Sequence, residues 1–337
     1  MSSLSKHPDI AFYYPNSIWM NGDWLKNLVL FFDGIGLLVP DYMENRLERF
    51  DPAIVTGLRE HDLLHVIKPE EAVDKQATEN LASALNEVIV SGALDVLTKD
   101  SVEFDKLSRS RCGYYGDEKL AEMIFEELKG RGLARDSEDG ISIPMHPLVR
   151  SLILTLLSQI LRSYGTRKNI NLNPVTDQHK LVGTLGEMLS FPIAPSHGQV
   201  VSFDLNAVGV DLGPVPIDEI LSFRRDNLDA FREYRRSILL FAYELSRMSA
   251  EERGLAFEDR QAKLDEMAAT LKQTSRKAWK KPVSFALGLT GATWTFASGD
   301  LLGAVLAGAS AMLNLEGPEK VDVGAFSYLF RTHEYYA

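Results

Sequence analysis

Between Val283 and Leu315 the chain carries one charge, Asp300, in a run dominated by glycine, alanine and leucine. A stretch this apolar belongs in a bilayer or in the interior of a protein. Gly299 and Asp300 divide it into two arms of about 15 residues, each about 23 Å long as a helix, against a hydrocarbon core of about 30 Å. Neither arm spans a relaxed bilayer. Taken as one helix the run is long enough, but Gly299 and Asp300 then fall near its centre, where a charge is most costly. The small residues favour the other solution. Gly288 and Ala292, Gly303 and Ala307, and Ala304 and Gly308 recur one turn apart, which lets two helix backbones approach closely. The expectation is a Gly/Ala-rich helical hairpin buried in protein, with Asp300 capping its second arm. Lys272, Arg276, Lys277, Lys280 and Lys281 precede it with no acidic residue among them. Such a cluster offsets a helix dipole or attracts anionic lipid, so conditional membrane contact stands as the alternative.

The rest of the chain has the balance of a globular protein: 45% hydrophobic and 25% charged over 337 residues, enough for two domains or one large one. A formal net charge of -11 argues against broad nucleic-acid binding, because neutralising phosphates needs a basic surface. The one cysteine, Cys112, excludes an internal disulfide and fits a reducing cytoplasm. The opening MSSLSKHPDI lacks the apolar core of a signal peptide, which again predicts a cytoplasmic protein.

Along the chain, Ile10–Tyr14, Leu37–Val39 and Leu64–Ile67 are short apolar runs closed by prolines, and each predicts a strand. A helix is expected between the first two, capped by Asp23. Residues 70–130 and 148–161 read as helices. DSEDG, flanked by two short apolar runs, reads as the turn of a hairpin. A helix followed by such a hairpin is also the outline of a winged helix, but Asp136, Glu138 and Asp139 would repel phosphate there. Residues 165–216 are irregular apart from an alternating run over 199–205. From Ile217 a heptad-like recurrence of Leu221, Leu228, Phe231, Ile238, Ala242 and Leu245 predicts one long helix. Ser249 and Glu252 form a capping box that starts its antiparallel partner. A strand over 322–330 is expected to return to the sheet.

The fold class expected is therefore α+β and predominantly helical. A small mixed sheet joins a long antiparallel helical hairpin and the Gly/Ala-rich hairpin. The divisions are an N-terminal α+β domain over 1–165, an irregular connector over 166–216 and a helical-hairpin domain over 217–337.

No phosphate-loop, dinucleotide, zinc-protease or serine-hydrolase signature is present, so the sequence predicts no cofactor, and an enzyme is the less favoured class. His61 and His65 have the spacing of two imidazoles on one helix face. His65, however, falls where the helix should give way to a strand, and no metal site is predicted. Cys112 lies beside Arg111, a setting that lowers a thiol pKa. Arg109 and Arg111, followed by Tyr114 and Tyr115, could clamp and stack a nucleotide. Arg224 and Arg235 lie on the apolar side of the long helix, where a cation needs a partner. Either a core carboxylate such as Asp33 or Asp62 pairs with them, or they form a pocket for a phosphate or carboxylate.

The segment YYPNSIW…DWLKNLVLFFDGIGLLVPDY, Tyr13 to Tyr42, resembles a family of uncharacterised bacterial proteins. The similarity extends to DEILSFRRDNLDAFREYRR and to the small-residue run over 285–313. It implies no reaction, cofactor or catalytic residue. The functional expectation is a cytoplasmic interaction or regulatory protein that binds a protein partner or a second copy of itself. The bacterial context suggests a component of an anti-phage defence module. The alternatives are a membrane-active effector using the 283–315 hairpin and a nucleotide-acting enzyme with an arginine-lined site.

Overall fold

The computed structural model describes residues 7–19, 21–97, 102–113, 119–136, 138–178, 200, 204 and 212–274. The Gly/Ala-rich tract, the strand expected over 322–330, and Tyr114 and Tyr115 lie outside them.

The N-terminal half alternates strands with helices. Strand β1 (Asp9–Tyr13) leads to α1 (Gly22–Val29), which Asn21 caps by accepting from the Trp24 N–H. Asp23, the cap expected, lies in the first turn, where its charge complements the dipole. Strand β2 (Gly34–Leu38) follows, then α2 (Asp41–Glu44), α3 (Leu47–Phe50) and α4 (Pro52–Glu60), which Asp51 caps. Strand β3 (Leu64–Ile67) precedes α5 (Pro69–Ala72) and α6 (Lys75–Val90). A ribbon of β4 (Asp105–Ser108) and β5 (Ser142–Met145) encloses a 3-10 turn, Ser110–Cys112, and α7 (Lys119–Gly130). Helices α8 (Pro147–Ile160) and α9 (Arg162–Arg167) lead to β6 (Asn171–Val175). Helices α10 (Ile217–Asp226), α11 (Leu228–Ser246) and α12 (Ala250–Thr274) close the described chain.

The main sheet has the order β3-β2-β1-β6, and every pairing is parallel. The sheet expected was mixed; among the described residues it is parallel throughout, and the antiparallel pairing sits apart, in the β4–β5 ribbon. Parallel neighbours need crossovers, and crossovers keep one hand. Strands β1 to β3 are added in one direction, and β6 returns to the far side of β1. Reversing direction at constant hand moves the connecting helices to the opposite face, and the two cores agree. One face of the sheet (Ala11, Tyr13, Ile35, Leu37) packs with α1, α3, α4 and α10 to α12. The other (Ile10, Phe12, Leu38) packs with α5 to α9 and the ribbon.

Several local expectations change in this setting. The strand expected over Leu37–Val39 starts earlier, with Gly34 and Gly36 both inside β2. A Cβ on Gly34 would stand 2.8 Å from the Leu63 carbonyl oxygen, so the close approach of β3 requires the missing side chain. Strand β6, NLNPV, falls in the stretch read as irregular; Pro174 is tolerated because β6 is an edge strand. Of the strand expected over 199–205, the described residues Val200 and Asp204 are helical. Both are fully buried. The arms flanking DSEDG do meet, at the Ala134–Met145 bridge, but the ladder partner of β5 is β4. The single helix expected from Ile217 breaks at Asn227, whose side-chain amide donates back to the Phe223 carbonyl. The capping box of α12 forms as expected, with Ser249 N–H donating to Glu252 at 2.6 Å and Glu252 N–H to Ser249 Oγ at 3.3 Å. Among the described residues no helix is long and apolar enough to cross a membrane.

Candidate ligand site at the carboxyl edge of the sheet

The arginines singled out in the sequence occupy opposite edges of the parallel sheet, and their surroundings differ in sign. At the amino edge, Asp9 opens β1 and Asp33 immediately precedes β2. Arg235 of α11 donates from Nε to Asp9 at 2.8 Å and from Nη1 to Asp33 at 2.5 Å, and Nη2 also reaches Asp9. Arg224 of α10 donates to the Val29 carbonyl at 3.1 Å and lies 3.5 Å from Asp33. Its guanidinium also sits 4.8 Å from the centre of the Phe231 ring. Asp9 further accepts from Asn171 of β6 at 2.9 Å. Asp33 is thus the carboxylate partner; Asp62, the other candidate, takes no part in these pairs. Here Arg224 and Arg235 brace α10 and α11 to the sheet, with their charge already matched.

At the carboxyl edge the balance is different. Arg111, in the 3-10 turn after β4, is 4% exposed. Its Nη2 donates to the Pro15 carbonyl, just beyond β1, at 2.8 Å. Among the described residues its Nε meets no acceptor, and no carboxylate comes within ion-pair distance. Arg150 of α8 lies close enough to repel it, while donating to Asn16 Oδ1 at 3.1 Å and the Lys106 carbonyl at 3.3 Å. Burial first, and the Arg150 charge second, push the Arg111 pKa down to about 9. A guanidinium at neutral pH still keeps its proton, so the site holds a desolvated cation beside a second one. Burial also lowers the Arg150 pKa, and Asp105 partly offsets this from a distance.

Local sequence explains how Arg111 is placed. Gly113 takes φ +69, and a Cβ there would stand 1.9 Å from Thr78 Oγ1. Only glycine lets the turn close against α6 in that conformation. Cys112 is buried and its Sγ donates to the Arg109 carbonyl at 3.1 Å, so it acts as part of the turn. Arg109 is half-buried, and its backbone N–H donates to the Ile141 carbonyl at 3.0 Å. Around the same edge, Asp177 ties the ends of β1 and β6 together, accepting from Tyr13 Oη at 2.7 Å and from the Asn21 N–H at 3.0 Å. Tyr42, just past β2, is 47% exposed.

The sequence pointed to Arg111 but not to Arg150 or Asn16. Asn16 belongs to the YYPN motif noted above, which was the available signal; Arg150 lay hidden in a helix read as buried. His61 ends α4 while His65 is in β3, so the two do not share a helix face. Among the described residues no group of three His, Cys, Asp or Glu side chains could hold a metal. Family models, curated proteins and solved structures give no match to this chain.

Proposed function

We propose that the protein is a ligand-binding regulatory protein whose ligand presents an oxyanion, most simply a phosphate, to Arg111 and Arg150. The observation that carries this reading is the buried Arg111 charge, which has no carboxylate partner among the described residues. Desolvating a cation costs several kcal/mol unless a counter-charge is supplied. An oxyanion seated between two guanidinium planes supplies it and satisfies the N–H groups that protein acceptors leave open. The location supports the same conclusion. In open parallel sheets ligands collect beyond the carboxyl ends of the strands where strand order reverses. Here that point lies between β1 and β6, beside Pro15 and Asn16. Ligand occupancy would then be read by a protein partner or by a second copy of the chain, in a reducing cytoplasm.

Thermal denaturation of the full chain in phosphate-free buffer, with phosphate or pyrophosphate titrated in, tests the proposal. A ligand at one hundred times its Kd adds about 2.7 kcal/mol to stability. The expected result is a rise in Tm for the wild type that Arg111→Met and Arg150→Met each abolish. A wild type indifferent to both anions, or an Arg111→Met variant that responds as the wild type does, refutes it.

A further inference from the structure

The oxyanion site has an exposed aromatic neighbour with no structural task assigned to it. Strands β1 and β2 are adjacent, so the turn after β1 and the residues after β2 lie about 5–10 Å apart along the carboxyl edge. The first carries Pro15 and Asn16, the acceptors that hold Arg111 and Arg150. The second carries Tyr42, 47% exposed and near enough to Arg111 to act on its charge. The acidic residues flanking Tyr42 are held by a lysine: Lys68 Nζ lies 2.8 Å from Asp41 and 3.4 Å from Glu44. Their repulsion toward an incoming anion is therefore reduced. A large ring left in water beside a desolvated cation pair suits a ligand with a flat face at one end and an oxyanion at the other.

We infer that the ligand is a nucleotide, with its phosphate between Arg111 and Arg150 and its base stacked on Tyr42. The inference rests on the oxyanion reading above and adds the chemical class. The ribose separates phosphate from base by a distance comparable with the spacing between the two turns. Stacking on an aromatic side chain tolerates any base and strengthens binding by about tenfold or more.

Isothermal titration of the full chain with inorganic phosphate, ribose 5-phosphate and the four mononucleotides tests this. The expected result is that at least one mononucleotide binds tenfold or more tightly than ribose 5-phosphate. Tyr42→Ala should erase that advantage and leave ribose 5-phosphate affinity unchanged, while Tyr42→Phe should keep it. Tyr42 is on the surface, so both variants should fold. If phosphate and ribose 5-phosphate bind through Arg111 but no mononucleotide binds more tightly, the nucleotide assignment falls and the oxyanion site stands. A nucleotide advantage that survives Tyr42→Ala also overturns the assignment. If no phosphate compound binds, both readings fall together.

Discussion

Replacing Arg235 and replacing Arg111 with methionine should change stability in opposite directions. Methionine keeps an apolar stem of similar reach and removes the charge in both cases. At the amino edge, Arg235 is 15% exposed, and its partners Asp9 and Asp33 are 6% and 24% exposed. Without Arg235 two largely buried carboxylates remain. Breaking a buried pair in this way costs about 3–5 kcal/mol. The low end is expected, because Asp9 keeps the Asn171 amide at 2.9 Å, and Asp33 keeps the Asp9 N–H at 2.8 Å and Arg224 at 3.5 Å. In a protein of this size each kcal/mol moves Tm by about 1–2 °C, so a fall of roughly 3–6 °C follows. At the carboxyl edge, Arg111→Met orphans no carboxylate among the described residues. It removes one hydrogen bond to Pro15, worth about 1 kcal/mol, and abolishes a buried charge that costs several. A net gain of about 1–3 kcal/mol is expected, or a rise in Tm of about 1–4 °C. Urea denaturation and calorimetry in buffer free of phosphate and sulfate measure both. Should Arg111→Met destabilise the protein as much as Arg235→Met, Arg111 is a structural cation and not a ligand-binding one.

Other expected outcomes follow from single contacts. Gly113→Ala forces a left-handed backbone and a contact with Thr78, so it should cost about 1–3 kcal/mol in denaturation. It should also weaken phosphate binding, because the turn carries Arg111. Asp204, fully buried, accepts from Arg260 Nε at 2.6 Å and Nη2 at 2.5 Å, and from the Tyr234 hydroxyl. Asp204→Asn should therefore lower stability by about 3–5 kcal/mol and loosen α12 from α11, read as faster amide exchange in α12. His146 caps α8 by accepting the Leu148 N–H on Nδ1, and burial lowers its pKa. The folded state therefore favours the neutral ring. The resulting stability is complete above the ordinary histidine pKa of about 6.5 and is lost as pH falls through that value toward the folded one. Tm should fall between pH 7.5 and 5, and His146→Asn should reduce the slope. His65, lowered by burial against the opposing pull of Asp33 and Asp62, should account for part of what remains.

What could be read from the linear chain was what neighbours in the chain decide. The proline-stopped runs marked β1 and β3, and the Ser249–Glu252 box marked the start of α12. The apolar side of the Ile217 helix placed Arg224 and Arg235 inward and offered Asp33 or Asp62 as a partner. These signals are periodicities and caps, complete within a few residues. Tertiary structure decided the rest. Strand β6 looked irregular because NLNPV has a proline and two asparagines, and only an edge position excuses them. The heptad recurrence continued across Asn227, yet the chain breaks there into α10 and α11, because the Asn227 amide turns back onto the Phe223 carbonyl. Above all, the sequence could not separate one buried arginine from another. Arg235 meets Asp9 across a separation of 226 residues, while Arg111 meets a carbonyl and a second arginine. Whether a buried cation is neutralised within the fold depends on which charges share its low-dielectric surroundings, and packing alone brings those charges together.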